Sequence, residues 1–348
     1  MCNISGYAGT KQAAPILIEM LKKQEFFDGG LSTGIATVDN EGNLYHTKVL
    51  GSVEDLLSKT DAINFPGNVG IIHSRPDDNF IEHAHPFVCE NEKTAVVDNG
   101  NMCLDEKLVK LREGVIKLLL DDGLVFESTK EMKKSPYPQL PDGRYISFID
   151  LYARYLEYLK KNNEMSYAEA MSECSSKIFS DCVYLMVSAN SPDNIYVSRI
   201  SRPMNIMKTE DSTYLSTSQI AFPKEKNIEY MKSLPQMETC IVNKDGFTVS
   251  PYPIGGGTVV DFTPEEYKII EDDLRQKLMA KPTPLAHLGG GIMVANASPD
   301  RFRPNVKATY DALWQFHKEG ILKQHVDTIS LPWLTPPDRE IKTVFFSI

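Results

Sequence analysis

Short strands rich in β-branched residues alternate with amphipathic helices along this chain, and the alternation restricts the folds it can adopt. Leu31–Val38 follow a Gly-Gly turn, and Asn43–Val49 follow the turn-forming residues 39–42, so this region predicts two paired strands. Before them, Ala13–Lys23 carries apolar side chains at i, i+4 spacing, which is typical of a helix. Helices packed outside two antiparallel sheets would accommodate this pattern, so we expect an α+β fold.

The same signals continue as far as Ser250. Further strands are predicted at Val69–His73, Thr94–Asp98, Val183–Ser188, Asn194–Ser198, Ser212–Ser216, Thr239–Asn243 and Phe247–Ser250. Further helices are predicted at Leu104–Leu120, Phe148–Asn162 and Ser166–Ser176. Beyond residue 253, two more helices are expected, one opening at Thr263-Pro264 and one over Asn305–Lys318. We therefore expect one domain over residues 2–253 and a mainly helical C-terminal extension over residues 254–348, whose role the sequence does not indicate.

Cys2 is the candidate nucleophile of this chain. A small residue at this position normally permits removal of the initiator Met1, which would leave a thiol and a free α-amine on one residue. The amine could then accept the thiol proton, so nucleophile and base would come from the same amino acid. A free α-amine titrates at about pH 7.7–8.0, a suitable range for a general base at neutral pH.

Three further motifs give Cys2 its context. Gly70-Ile71-Ile72-His73-Ser74-Arg75 is followed by Ala84-His85-Pro86, and a predicted strand then ends in Asn99-Gly100. With the opening Cys2-Asn3-Ile4-Ser5-Gly6, this order resembles the class II glutamine amidotransferases. That family shows Cys-x-Ile-x-Gly, Gly-Ile-x-His-x-Arg, Ala-His-Pro and a strand ending in Asn-Gly. The resemblance extends over roughly residues 2–253.

The resemblance implies a fold and a set of roles. The fold is the four-layer α/β/β/α sandwich of the N-terminal nucleophile (Ntn) hydrolases, with two antiparallel sheets inside. Cys2 would attack the side-chain amide of glutamine, and Asn99 with the Gly100 N–H would hold the oxyanion. Arg75 would bind the α-carboxylate of glutamine. From the residues alone, Asn99-Gly100 also suits a hairpin turn, and Arg75 also suits an arginine that stabilises the fold.

The chain departs from the family pattern where the substrate amine is bound. After Arg75 it reads Pro76-Asp77-Asp78-Asn79-Phe80, and Phe148 stands where the family has the Asp that binds the α-ammonium group. Because an ammonium group should not be buried unpaired, Asp77 or Asp78 is expected to supply the missing carboxylate. The alternatives are a substrate that lacks the amine, and a site that is no longer a glutaminase.

Three functions follow, in order of preference. The first is a glutaminase that supplies ammonia to a separate synthase subunit, with no cofactor. The second is an amidohydrolase with an N-terminal cysteine that acts on another γ-glutamyl compound or another amide. The third is a non-catalytic scaffold or regulator that keeps the fold. The sequence leaves open whether the chain forms a homo-oligomer.

Composition excludes several other classes of protein. The formal net charge is −10 and the pI about 5.3, which argues against a protein that binds nucleic acid. No apolar run reaches the length of a membrane span, and no secretory signal is recognised, so a cytoplasmic location is expected. The six cysteines have no CxxC spacing and are expected to be free thiols. His73, His83 and His85 lie close in sequence, but their spacing fits no common zinc pattern, so no metal is expected.

Overall fold

The computed structural model describes residues 2–76, 80–131, 137–289, 301–330 and 340–348, without the side chains of residues 301 and 302. Its strands are β1 Asn3–Gly9, β2 Ser32–Val38, β3 Leu44–Leu50, β4 Val69–Arg75, β5 Phe87–Cys89, β6 Thr94–Asn101, β7 Asp181–Ser188, β8 Ser191–Arg199, β9 Asn205–Thr209, β10 Ser212–Ser216, β11 Ile228–Ser233, β12 Glu238–Asn243, β13 Gly246–Val249, β14 Thr258–Val259, β15 Thr283–Pro284, β16 Arg301–Phe302, β17 Lys323–Ser330 and β18 Glu340–Ser347. Its helices are α1 Ala13–Lys22, α2 Val53–Lys59, α3 Glu106–Asp121, α4 Phe148–Asn162, α5 Tyr167–Lys177, α6 Pro264–Ala280 and α7 Asn305–Lys318.

Two antiparallel sheets form the centre of the molecule. Among the described residues, one sheet has the strand order β11-β9-β10-β1-β4-β2-β3, and the other has the order β13-β12-β8-β7-β6-β5. The apolar core between the sheets draws alternate residues from both of them, such as Ile4 and Ile71 from one and Val97 and Leu185 from the other. This alternation is what the period of a strand requires when one face of each sheet is buried.

Helices cover the outer face of each sheet. Helices α1 and α2 pack on the first sheet through a cluster that includes Leu17 and Leu56. Helices α3, α4 and α5 pack on the second sheet through a larger cluster that includes Leu119, Leu156 and Met171. The predicted four-layer α/β/β/α sandwich is therefore confirmed.

The C-terminal extension contains the two predicted helices and a β-hairpin that the sequence analysis did not predict. Helix α6 begins with a capping box in which the Thr263 hydroxyl accepts from the Glu266 N–H, as its sequence indicated. Strands β17 and β18 pair along their whole length. The extension shares a hydrophobic cluster with the segment between α1 and β2. In this cluster the ring of Phe27 packs edge to face on the ring of Phe346, with 5.1 Å between centroids.

Strand β1 determines where Cys2 lies. It runs in the middle of the first sheet between β4 and β10, and all seven of its residues are buried. Asn3 is paired with Ser74 of β4, so the residue before β1 lies beside the end of β4, where Arg75 is located. No helix in the described part of the chain has the length and apolar character that a membrane span needs.

Candidate active site

Cys2 lies at the mouth of a cavity of about 390 Å³ at one end of the two sheets. The cavity is lined by Cys2, Arg75, Pro76, His85, Asp98, Gly100, Asn101, Met102, Tyr137, Ser147, Phe148 and Ile149. Cys2 is half-buried and is not in a disulfide. Its backbone N–H donates to Asn99 Oδ1 at 3.0 Å, across the gap between the two sheets. The predicted nucleophile and the predicted oxyanion residue are therefore in direct contact.

The Cys2 thiol is protonated at neutral pH. Desolvation in the cavity raises its pKa to about 11, against the lowering effect of the N-terminal amine of Met1 and of Arg75. Because the thiolate is the reactive form of a cysteine, this thiol needs a base that removes its proton during attack.

Asn99 and Gly100 belong to strand β6 and do not form a hairpin turn. Asn99 is paired with Val183 of β7, and its side chain is fully buried. While its Oδ1 accepts from the Cys2 N–H, its Nδ2 has no hydrogen-bond partner among the described residues. An unsatisfied buried amide donor costs free energy unless a ligand accepts from it. This donor belongs to the side chain that also accepts from the Cys2 backbone.

The register of β6 directs the Gly100 N–H toward the same cavity. Gly100 lies opposite Cys182 of β7, and the Cys182 carbonyl accepts from the Ile200 N–H at 3.0 Å on the other side of β7, toward β8. Gly100 and Cys182 are therefore a non-hydrogen-bonded pair of the antiparallel ladder. In such a pair the Gly100 N–H points away from β7. The Asp98 N–H, two residues earlier, points the same way and donates to His85 Nδ1 at 3.2 Å.

Arg75 ends strand β4 and is buried against the cavity wall. One of its terminal nitrogens donates to the His83 carbonyl at 2.8 Å, and the other donates to the Tyr137 hydroxyl at 2.8 Å. These two contacts fix the plane of the guanidinium, which suits a group that binds a carboxylate in one orientation. Tyr137 belongs to a segment that contains Pro136, Pro138 and Pro141, and the sequence analysis predicted no site residue there.

The first turn of α4 forms an apolar wall opposite these polar groups. Phe148 and Ile149 both line the cavity, together with Met102. Asp150, the acidic residue of this turn, is fully buried and faces elsewhere, because its Oδ2 accepts from the N–H and the hydroxyl of Ser128 at 2.8 and 2.7 Å. The helix turn at which the family has its ammonium-binding Asp therefore gives the cavity of this chain no carboxylate.

Two histidines and an aspartate form a buried group beside Cys2. The rings of His73 and His85 are stacked, with 3.9 Å between centroids. Burial lowers the pKa of both histidines well below the ordinary value, so both are neutral at pH 7. His85 Nε2 lies 3.4 Å from Asp98 Oδ1, and burial raises the pKa of Asp98 to about 7. Within the described ranges no three His, Cys, Asp or Glu side chains are grouped so as to hold a metal ion.

The C-terminal extension approaches the site from behind Cys2. Tyr310 of α7 is buried, and its hydroxyl has no hydrogen-bond partner among the residues that the structure describes. Burial raises the pKa of this phenol, with smaller contributions from Asp28 and Cys2, so these groups lie near one another. The sequence analysis placed no residue of the extension near the site, since α7 reaches it only through the tertiary packing of the extension.

Asp77 and Asp78, the residues expected to bind the substrate amine, lie outside the described residues. Of the other predicted site residues, Cys2, Arg75 and Gly100 line one cavity, and Asn99 is bonded to the Cys2 backbone. Asp98 and Tyr137 were not predicted as site residues. For Asp98 a signal existed, since it directly precedes the Asn99-Gly100 motif.

Part of this chain is similar in sequence to known proteins. No family model matches the chain. It is 25% identical over 272 residues to the glutamine–fructose-6-phosphate aminotransferase (isomerizing) of Bacteroides thetaiotaomicron, which covers 77% of this chain and 39% of that protein. It is 28% identical over 255 residues to the enzyme of the same name from Listeria monocytogenes, which covers 72% of this chain and 37% of that protein. The chain thus spans less than two fifths of the length of these curated relatives.

Solved structures support the fold. The glutamine phosphoribosylpyrophosphate amidotransferase of B. subtilis, complexed with ADP and GMP, superposes with a TM-score of 0.57 at 16% identity and covers 79% of this chain and 58% of that one. A structure described as the allosteric regulatory enzyme of purine biosynthesis gives a TM-score of 0.58 over the same shares, also at 16% identity. At this identity the likeness concerns the fold alone.

Proposed function

We propose that this chain, which is related to the class II glutamine amidotransferases, hydrolyses the side-chain amide of glutamine to glutamate and ammonia with Cys2 as the nucleophile. One observation carries the proposal. Asn99 accepts from the Cys2 N–H with its Oδ1 and has a buried Nδ2 without a hydrogen-bond partner among the described residues, while Cys2, Arg75 and Gly100 line one cavity. Residues 2–253 would form the catalytic domain, and residues 254–348 an extension packed behind it.

The reaction would proceed in two steps. After removal of Met1, the α-amine of Cys2 takes the thiol proton while the sulfur attacks the amide carbon. The protonated amine then passes a proton to the leaving nitrogen, and ammonia departs from a γ-glutamyl thioester. Water next attacks the thioester, the amine accepts a proton from it, and glutamate leaves as the thiol is restored. A base is required because the pKa of the thiol is raised to about 11.

The oxyanion of each tetrahedral intermediate would be held by Asn99 Nδ2 and the Gly100 N–H. Both donors come from adjacent residues of one buried strand, so they are positioned before the substrate binds. Preorganised donors of this kind stabilise the charge that develops in the transition state.

We also propose an acceptor for the ammonia. The curated relatives are named as aminotransferases acting on glutamine and fructose 6-phosphate, and this chain aligns with 39% or less of their length. The ammonia would go to an acceptor bound by a separate synthase subunit that docks near the cavity. A cytoplasmic location belongs to the same proposal, since the reducing cytosol keeps cysteine thiols from forming disulfides.

The test of the function is ammonia release from glutamine by the untagged protein. We expect glutamate and ammonia in equal amounts, with intact mass lower by one methionine. If glutamine is inert but another γ-glutamyl amide is hydrolysed, the amidohydrolase with a different substrate becomes the function. If no amide is hydrolysed and Cys2 resists alkylation, the fold serves as a non-catalytic scaffold.

Arg75→Lys should raise KM for glutamine by roughly ten- to a hundredfold. Lysine keeps the charge but loses the two-nitrogen contact, and a hydrogen bond to a charged group is worth about 1.5–3 kcal/mol. The change in kcat should be smaller, because the carboxylate is bound alike in the ground and transition states. Steady-state kinetics of the variant and the parent test this prediction.

Arg154→Lys is the matched control, since Arg154 is buried but does not line the cavity. Equal KM values for the two variants would contradict the role of Arg75.

A further inference from the structure

Asp98 gives the cavity a carboxylate that the mechanism does not use. It lies in β6 directly before Asn99, and its side chain is 11% exposed. Val97 and Asn99 face the other sheet, so Asp98 faces the helix layer instead. It lines the same cavity as Cys2 and Arg75. One cavity therefore holds a nucleophile, a cation and an anion.

The position of Asp98 compensates for Phe148. Asp98 is the direct register partner of Tyr184 on β7, and the Phe148 ring stacks on the Tyr184 ring with 6.3 Å between centroids. Side chains directly opposite on neighbouring strands lie about 4.5–5.5 Å apart at their Cβ atoms, so Asp98 and Phe148 are both neighbours of Tyr184. The first turn of α4 gives this cavity no carboxylate, whereas strand β6 gives it Asp98.

The groups around Asp98 leave room for a cationic ligand group. Those that face it are Arg75 at the end of β4, Arg202 after β8, His85 before β5, Tyr184 on β7 and Cys2 before β1. Arg202 is already paired with Asp181 at 2.7 Å, and Arg75 donates to His83 and Tyr137. His85 is neutral. Burial therefore outweighs both arginines, and the pKa of Asp98 is raised to about 7.

We propose that Asp98 binds the α-ammonium group of the substrate, so that the pocket selects a zwitterionic amino-acid amide over an amide that lacks the amine. Arg75 would take the carboxylate, Asp98 the ammonium, and the apolar wall of Met102, Phe148 and Ile149 the methylene groups between them. An ammonium group bound in a buried site needs a paired carboxylate, and Asp98 is the carboxylate that the described residues place in this cavity. The inference rests on the proposed function for the identity of the substrate.

Calorimetric binding in the Cys2→Ala background tests this without catalysis. The two ligands are glutamine and 4-carbamoylbutanoate, the same amide without its amine. Adding Asp98→Asn should weaken glutamine binding roughly ten- to a hundredfold, as expected for a lost hydrogen bond to a charged group, and should change binding of 4-carbamoylbutanoate less than about twofold. Asp77→Asn and Asp78→Asn, in the same background, test the two carboxylates that the sequence offered for the same role, and the inference requires that neither weakens glutamine binding as Asp98→Asn does. Asp121→Asn, at an exposed carboxylate outside the cavity, is the control and should leave both affinities nearly unchanged.

The pH dependence gives a second measurement that needs no change at Asp98. With the pKa of Asp98 near 7, the carboxylate is mostly protonated at pH 6 and mostly ionised at pH 8. Glutamine should therefore bind about tenfold more tightly at pH 8 than at pH 6, since each unit below a pKa costs about a factor of ten. Binding of 4-carbamoylbutanoate should lack this increase.

The possible outcomes separate this inference from the function. If Asp98→Asn leaves glutamine binding unchanged, weakens both ligands equally, or is matched by Asp77→Asn or Asp78→Asn, the inference is overturned. It is also overturned if the Cys2→Ala protein binds neither ligand or prefers 4-carbamoylbutanoate. If the parent chain releases no ammonia although glutamine binding depends on Asp98, the function fails while the inference stands.

Discussion

Cys2→Ala is expected to lower glutamine hydrolysis by about four to six orders of magnitude, because it removes the only atom proposed to bond to the substrate carbon. Alanine is also small, so Met1 should still be removed and the α-amine retained. Binding of glutamine should persist, since Arg75 and the cavity wall remain. Ammonia release under saturating glutamine, with calorimetric binding beside it, measures both parts of the prediction.

Cys103→Ala is the control for this variant. Cys103 is a half-buried cysteine that is not in a disulfide and does not line the cavity, so its removal should leave kcat within about twofold of the parent, as for a substitution outside the site. If Cys2→Ala retained more than a hundredth of the parent rate, with contaminating activity excluded by an independent preparation, a nucleophile other than Cys2 would be required.

Asn99→Ala is expected to lower kcat by about a hundred- to a thousandfold, the usual cost of losing one oxyanion donor. KM should change little, because Nδ2 acts on charge that develops only after attack. The same change removes the acceptor of the Cys2 N–H, so the acylation step should slow most. Single-turnover kinetics with glutamine would show slower formation of the acyl-enzyme.

A purely structural role for Asn99 would give a different result, which Asn205→Ala illustrates. Asn205 is also a buried amide, whose Nδ2 donates to the Thr217 carbonyl at 3.1 Å away from the cavity. Asn205→Ala should lower the midpoint of thermal unfolding without a selective loss in kcat. If the Asn99 and Asn205 variants lost kcat in proportion to their loss of stability, Asn99 would be a structural residue and the oxyanion site would lie elsewhere.

The sequence predicted the layers of this fold because the signals were local. Strand β2 is β-branched and ends in a turn, and α6 opens with a hydroxyl cap, a proline and a glutamate. The hairpin β17–β18 was missed for the opposite reason. Strand β17 is exposed along nearly its whole length, so it lacks the alternation that identifies a half-buried strand.

The site was predictable only in part. Cys2, Arg75 and Asn99-Gly100 carried the motif that gave the resemblance, and the structure places them at one end of the sheets. The proximity of Asp98 to Phe148 depends on the register of β6 against β7 and on the ring of Tyr184, which is 86 positions beyond Asp98 in the numbering. No local pattern encodes such a contact. Tyr137 likewise reaches Arg75 from a proline-rich segment in which no site residue was predicted.

The most direct test of the account is to trap the acyl-enzyme. Protein mixed with glutamine, quenched in acid during turnover and analysed by intact mass should show a chain without Met1 that carries one γ-glutamyl group. Peptide mapping should locate that group on Cys2, and the Cys2→Ala variant should show none. Release of glutamate and ammonia by a chain that keeps Met1, or a γ-glutamyl group on any other residue, would contradict the account.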